Sequence, residues 1–282
     1  MKILGGDLVQ RKNSLDDYTV SRRGLMKLGA LTLLAGAIPS ILRPVEALAQ
    51  STVCNPGSPS TPAEALAALV AGNARWATNT QTHPGEDPTR RACLATNSQT
   101  PWASILSCSD SRCPPALIFD QGLGDLFVAR VAGNCVPGNT NRAHVSSTLD
   151  FGSSALQTQI LFVLGHTACG AVVAAVNSFP RSHSLAFVNF IRQAVRQARR
   201  IVKQGGGDPT DPTQVIPVAT EQNVLITISR LQRALGPSVP IYGGVYDLGT
   251  QLVNVLVPSQ SSARNSLIPN GERTIASVAM NG

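Results

Sequence analysis

An α/β fold, with a mostly parallel central sheet flanked by helices, follows from three features of the 282-residue sequence. Apolar runs of strand length alternate with longer stretches of helical pattern, as in chains that wind helices over a parallel sheet. The chain is 43% hydrophobic with only two Trp, three Tyr and seven Phe, so its core is built from Ala, Val, Leu and Ile packed closely. The two loops richest in reactive side chains each follow a strand-length run, where such sheets carry their functional residues.

The elements read in order as follows. Residues 1–49 have the layout of a signal peptide: Ser21-Arg22-Arg23-Gly24 precedes an apolar run from Leu28 to Ile38, and Ala47-Leu48-Ala49 offers a small-x-small cleavage site. The paired arginines resemble the twin-arginine signal, which exports proteins already folded, so the mature chain is expected to start at Gln50 in a periplasmic or secreted setting. A retained membrane anchor is the competing reading; Lys27, Pro39 and the glycines of that stretch count against it. Residues 50–61 read as a Ser- and Pro-rich linker. A helical arm then begins at Pro62, capped by Thr61, with Glu64 completing a capping box. The polar stretch from Asn79 to Pro101 reads as a surface excursion.

Strands are expected at 102–107, 126–131 and 159–165, with a closely packed helix over 168–176. Asn223-Val224-Leu225-Ile226 reads as a fourth strand followed by a helix to Leu235, and Tyr242 to Leu256 as a terminal hairpin. One domain therefore spans 62–257, with a loosely held tail over 258–282.

Net charge is +7, but residues 1–49 contribute seven basic against four acidic side chains, leaving about +4 on the mature part. A balance that small, with no dense basic run beside stacking aromatics, argues against a nucleic-acid partner. Six cysteines in an exported chain suggest disulfides, yet the positions of some point to a metal instead.

Cys108-Ser109-Asp110-Ser111-Arg112 follows the first strand, and His166-Thr167-Ala168-Cys169-Gly170 follows the third. His166 and Cys169, three apart at the expected first turn of a helix, can face one ion, and Cys108 supplies a third ligand from a strand end. A sulfur, nitrogen, sulfur set suits one Zn2+ per chain and leaves a fourth tetrahedral position for water, the mark of a catalytic rather than a structural zinc. Two thiolates and an imidazole neutralise the ion, so the water needs help. Asp110 can aim it, and Arg112 can keep that carboxylate ionised. The competing structural reading makes Cys113 a fourth, closing ligand. Cys54, Cys93, Cys113 and Cys135 are left either paired or as buried thiols, a choice the sequence does not make.

These two motifs, in this order, resemble the β-carbonic anhydrases, and the likeness continues through Phe119-Asp120-Gln121-Gly122 and Gly124 to Asn134, and more weakly through Tyr242–Leu256 and Ala65–Trp76. The resemblance implies zinc on Cys108, His166 and Cys169, catalysis by Asp110 and Arg112, and attack of zinc-bound hydroxide on carbon dioxide to give bicarbonate. Gln121 and Gly170 are the candidate substrate-binding residues. It also implies a homodimer or dimer of dimers, with Gln121 reaching the site across the subunit interface. Family members with a regulatory bicarbonate pocket use a Trp, an Arg and a Tyr where this chain has Ile105, Arg130 and Phe151, so that regulation is not expected. A sulfur analogue of the substrate, carbonyl sulfide or carbon disulfide, is the alternative on the same zinc.

Overall fold

The structure is a computed structural model and describes residues 54–138, 144–237 and 239–256. The expected leader and C-terminal tail lie outside these residues. Five strands form one sheet in the order β2-β1-β3-β4-β5: β1 (Ala103–Ser107), β2 (Leu126–Arg130), β3 (Ile160–His166), β4 (Ile241–Tyr246) and β5 (Val253–Leu256). The first four are parallel and β5 returns antiparallel to β4, so the expected hairpin is present. The chain leaves β1 toward β2 on one side and toward β3 on the other. That reversal opens a crevice beyond the carboxyl ends of β1 and β3, where open α/β sheets bind ligands.

Every residue of β3 is buried, as expected of a central parallel strand covered on both faces. Ile160, Phe162 and Leu164 point into one cluster, under the helix α1 (Pro62–Ala77), while Leu161 and Val163 point into the opposite one, under α7 (Pro212–Leu235). Between these lie α2 (Pro88–Thr96), α3 (Pro115–Ile118), α4 (His144–Asp150), which runs on into a π-helical turn at Phe151–Ala155, α5 (Gly170–Ser178) and α6 (Ala186–Gln204). A third apolar cluster joins α5, α6 and α7 beyond the strand ends and includes Cys108, Cys135 and Cys169.

One expectation needs correction, and a second gains detail. Residues 223–226 are not a strand but the middle of α7, which Asp211 caps by accepting from the Thr213 N–H at 2.9 Å, and Pro212 begins. The helix runs on past an interior proline, Pro217, to Gly236, whose φ of 79° suits a glycine stop. Val215, Ala219, Asn223, Ile226 and Arg230 recur at helical spacing on its buried side, and that burial overrides the β-preference of a short Val-Leu-Ile run. The stretch from Asn79 to Pro101 contains α2, capped by Asp87 with Pro88 at its first position. No residue of α2 is buried, so the surface placement stands.

The segment before α1 is not a loose linker either. Cys54 and Asn55 are buried, and Cys54 is disulfide-bonded to Cys93 on α2, 39 residues on. Thr61 caps α1 as expected, accepting from the Glu64 N–H, but Glu64 reaches back to the Ser60 N–H at 2.8 Å, one residue earlier than a standard capping box. The loop closed by the cystine grips one turn, Phe119–Asp125, along its length. Gly72 lies so close to the Phe119 carbonyl that a Cβ there would sit 1.8 Å from its oxygen. Asp120 accepts from Arg75 Nε at 2.6 Å and from the Thr82 and His83 N–H groups, and Asp125 accepts from Arg90 at 3.2 Å and from Asn55 at 3.4 Å. Closing a loop of this length removes unfolded-state entropy worth about 4 kcal/mol. A Cys54→Ser, Cys93→Ser protein is therefore expected to lose about that much stability, read as a lower urea midpoint; an unmoved midpoint would show the grip to be sufficient without the cystine.

Candidate metal centre

Cys108 follows β1 directly, His166 is the last residue of β3, and Cys169 is the N-cap of α5. The expectation that His166 and Cys169 share a helical turn is corrected here. A bend through Ala168, with φ of 54°, separates strand from helix and turns Cys169 back over the strand end. That bend is held because the Thr167 N–H donates to the Tyr246 carbonyl at 2.9 Å and its hydroxyl accepts from the Leu248 N–H at 3.0 Å.

The three side chains converge. Their ligand atoms all lie within 4.8 Å of one another, the two sulfurs are 4.0 Å apart, and all three residues are buried. His166 Nδ1 is 2.9 Å from the Thr167 carbonyl, which can only accept, so Nδ1 carries the proton and Nε2 the lone pair. Nε2 is buried and has no hydrogen-bond partner. A buried, unpartnered lone pair facing two thiols is costly by itself and is the donor set zinc takes. Cys113 is also buried, against the sheet-side cluster, but stands outside the group of three.

Electrostatics bear the same mark. The Cys169 thiol donates to Cys108 and, although burial opposes, His166 and the Gly133 and Asp110 N–H groups assist, so the Cys108 thiol is pushed well below its usual range. Cys169 is held correspondingly high by that shared proton and by burial. Burial disfavours a charged His166, while the nearby Cys108 and Cys113 sulfurs draw its pKa upward and outweigh that cost.

Asp110 and Arg112 form a two-pronged ion pair: Arg112 Nε and Nη2 donate to the two carboxylate oxygens at 2.9 and 2.7 Å, and the Arg112 N–H adds a third bond at 3.0 Å. This side-chain bonding holds the Asp110 carboxyl well below the usual carboxylate range against a partial burial cost. One oxygen of Asp110 lies 3.8 Å from His166 Nε2, placing the carboxylate beside the converging donors. A half-open cleft of about 280 Å³ reaches Cys108 and Asp110, with Ala132, Gly133, Ala171, Ala174, Phe187 and Val188 forming an apolar wall. Gly170 lines it, and a Cβ there would meet nothing within 4 Å. Gln121 does not line the cleft within this chain; its amide donates to the Phe119 carbonyl at 2.9 Å.

Arg130 has a role that the sequence alone did not disclose. It ends β2 opposite Ser107, and its guanidinium donates to the Cys108 carbonyl at 3.0 Å and the Asp110 carbonyl at 2.6 Å, stapling the loop that carries both. Ile105 is buried in the sheet, and Phe151 packs on Phe127 with ring centroids 6.0 Å apart.

The sequence profile of the carbonic anhydrase family matches residues 103–252. The chain belongs to that family. Among relatives of this carbonic anhydrase, the enzyme of Mycolicibacterium smegmatis is 33% identical over 174 residues, covering 61% of this chain and 79% of the relative. Carbonic anhydrase 2 of Mycobacterium tuberculosis is 39% identical over 117 residues, 42% of this chain and 54% of the relative, so the match spans about half of that protein. A Coccomyxa β-carbonic anhydrase solved with acetazolamide aligns with a TM-score of 0.50 at 26% identity, over 68% of this chain and 86% of that one. The β-carbonic anhydrase CcaA aligns at 0.51 and 22% identity, over 70% and 93%, a likeness of fold. The carbonic anhydrase is therefore of the β class, as its motifs suggested.

Proposed function

We propose that this chain hydrates carbon dioxide reversibly to bicarbonate and a proton, using one zinc ion held by Cys108, His166 and Cys169. The observation that carries the proposal is the buried, unpartnered Nε2 of His166 facing two thiols, with an arginine-clamped carboxylate beside it. When bound there, zinc supplies the Lewis acidity that makes water a nucleophile near neutral pH. Asp110 accepts a hydrogen bond from that water and orients it, and stays ionised to do so because Arg112 clamps it. The Thr167 carbonyl fixes the imidazole ring and its tautomer. Ala171, Ala174 and Val188 give the linear, apolar substrate a wall to lie against and keep competing water away.

The same reading includes export by the twin-arginine-like leader, removal of residues 1–49, and assembly as a homodimer or dimer of dimers. The Cys54–Cys93 cystine supports export, since such bonds persist in oxidising compartments. Exposed Leu123, Val128 and Phe151, on or beside the edge strand β2, support self-association, and a second copy is the source from which Gln121 would reach the cleft. Stopped-flow hydration tests the activity: zinc-loaded protein is expected to be active and chelator-treated protein inert, with activity restored by zinc. Preferential turnover of carbonyl sulfide, offered as a competing substrate, would replace carbon dioxide with its sulfur analogue. Retention of full activity after complete zinc removal would end the proposal.

A further inference from the structure

Helix α7 buries an asparagine among apolar residues. Asn223 is 1% exposed, between Ala219 and Ile226 on the covered side of the helix. A side-chain amide so placed costs roughly 1–3 kcal/mol unless it is bonded. Its Nδ2 donates to the Gly133 carbonyl at 2.8 Å, 90 residues away in sequence. Gly133 in turn donates its N–H to Cys108 Sγ at 3.3 Å.

The turn between these two bonds is an unusual one. Gly133 and Asn134 have φ of 73° and 41°, the one consecutive left-handed pair among the described residues. Glycine gains little from one φ, ψ pair over another, so an outside anchor must select this one. Ile191 and Ala171 close on Gly133 so tightly that a Cβ would sit 2.8 and 2.9 Å from them, and Asn223 pins the carbonyl. With the carbonyl and Cα fixed, the N–H is aimed at the sulfur.

The geometry points to Asn223 as a positioning residue for the metal centre, acting through Gly133 on the Cys108 thiolate. This rests on the proposed zinc site. Two thiolates and an imidazole offset the charge of the ion, which blunts its power to acidify water. An N–H···S bond draws charge back from the thiolate and restores part of that power, the kind of outer contact that tunes metal sites about 10- to 100-fold.

The test uses the full chain loaded with cobalt in place of zinc. Asn223→Leu removes the donor at similar volume, and Ile228→Ala, another buried position on α7 that packs toward Gly243, reports a general loss of helix packing. The expected result is a thiolate-to-cobalt absorption band moved to lower energy in Asn223→Leu alone. In the zinc forms, kcat falls about tenfold at unchanged KM, while Ile228→Ala keeps the wild-type band and kcat. A wild-type band in Asn223→Leu would overturn the assignment. Should that variant not fold, wild-type protein loaded with cadmium-113 decides: through-bond coupling between the ion and the Gly133 amide proton supports the assignment, and its absence refutes it. Failure of wild type to bind either ion would instead remove the zinc reading on which the assignment rests.

Discussion

Exchanging Asp110 for asparagine is expected to lower kcat for hydration about a thousandfold while the protein keeps its zinc. The amide has the carboxylate's shape but no charge, and its NH2 cannot accept from the reacting water. Arg112 would meanwhile lose the partner that now takes bonds at 2.9 and 2.7 Å. Metal content should be unchanged, because Asp110 stands outside the three converging donors. Stopped-flow rates and zinc analysis on the same sample check both halves. A variant within tenfold of wild type would make the pair a surface ion bridge, and one that lost its zinc would make Asp110 a ligand. Arg112 keeps Asp110 ionised below the ordinary carboxylate range, so loss of activity on mild acidification is expected to come from other groups, the protonated metal ligands first.

The second large effect is on stability. Asp120→Asn is expected to cost about 3 kcal/mol. Asp120 is 4% exposed and receives N–H groups from Arg75, Thr82 and His83 together with the Thr82 hydroxyl. An asparagine offers one acceptor oxygen in place of two, turns its own donors on this ring, and leaves Arg75 without a counter-charge. Burial alone would raise the carboxyl of Asp120, but the bonds from Thr82, Arg75 and His83 outweigh it and the group is held low. A depressed carboxyl stabilises the fold above its unfolded value near 3.9, and that contribution is lost as pH falls through the lower folded value. Urea unfolding of wild type and variant should therefore differ fully at neutral pH and converge in strong acid. A gap that persisted undiminished below pH about 2 would show that packing, not ionisation, holds the turn.

Much of this molecule is legible in its sequence because its working parts are local. The strands at Ala103, Leu126 and Ile160 are short apolar runs with clear ends, and the ligand motifs begin at the ends of the first and third. The ligand types also speak for themselves, since two cysteines and a histidine at strand ends have few other uses. What the sequence concealed is carried by contacts between distant residues. Asn223 meets Gly133 across 90 residues, and Arg130 meets Cys108 across 22. The middle of α7 was hidden because Asn-Val-Leu-Ile suits a strand as well as a buried helix, and only the surrounding core decides. The start of α2 is written as Asp87-Pro88, but it lies in a polar stretch whose helix buries no residue. Nothing local could have paired Cys54 with Cys93, because four cysteines outside the ligand set allow several pairings and the fold selects one.

X-ray absorption at the zinc edge of the purified full-length protein tests the central claim most directly. One zinc per chain should be seen with two sulfurs at about 2.3 Å and one imidazole nitrogen with one further light atom at about 2.0 Å, and Cys113→Ser should leave that spectrum unchanged. Three or four sulfurs around the ion, or sulfurs lost with Cys113, would contradict it.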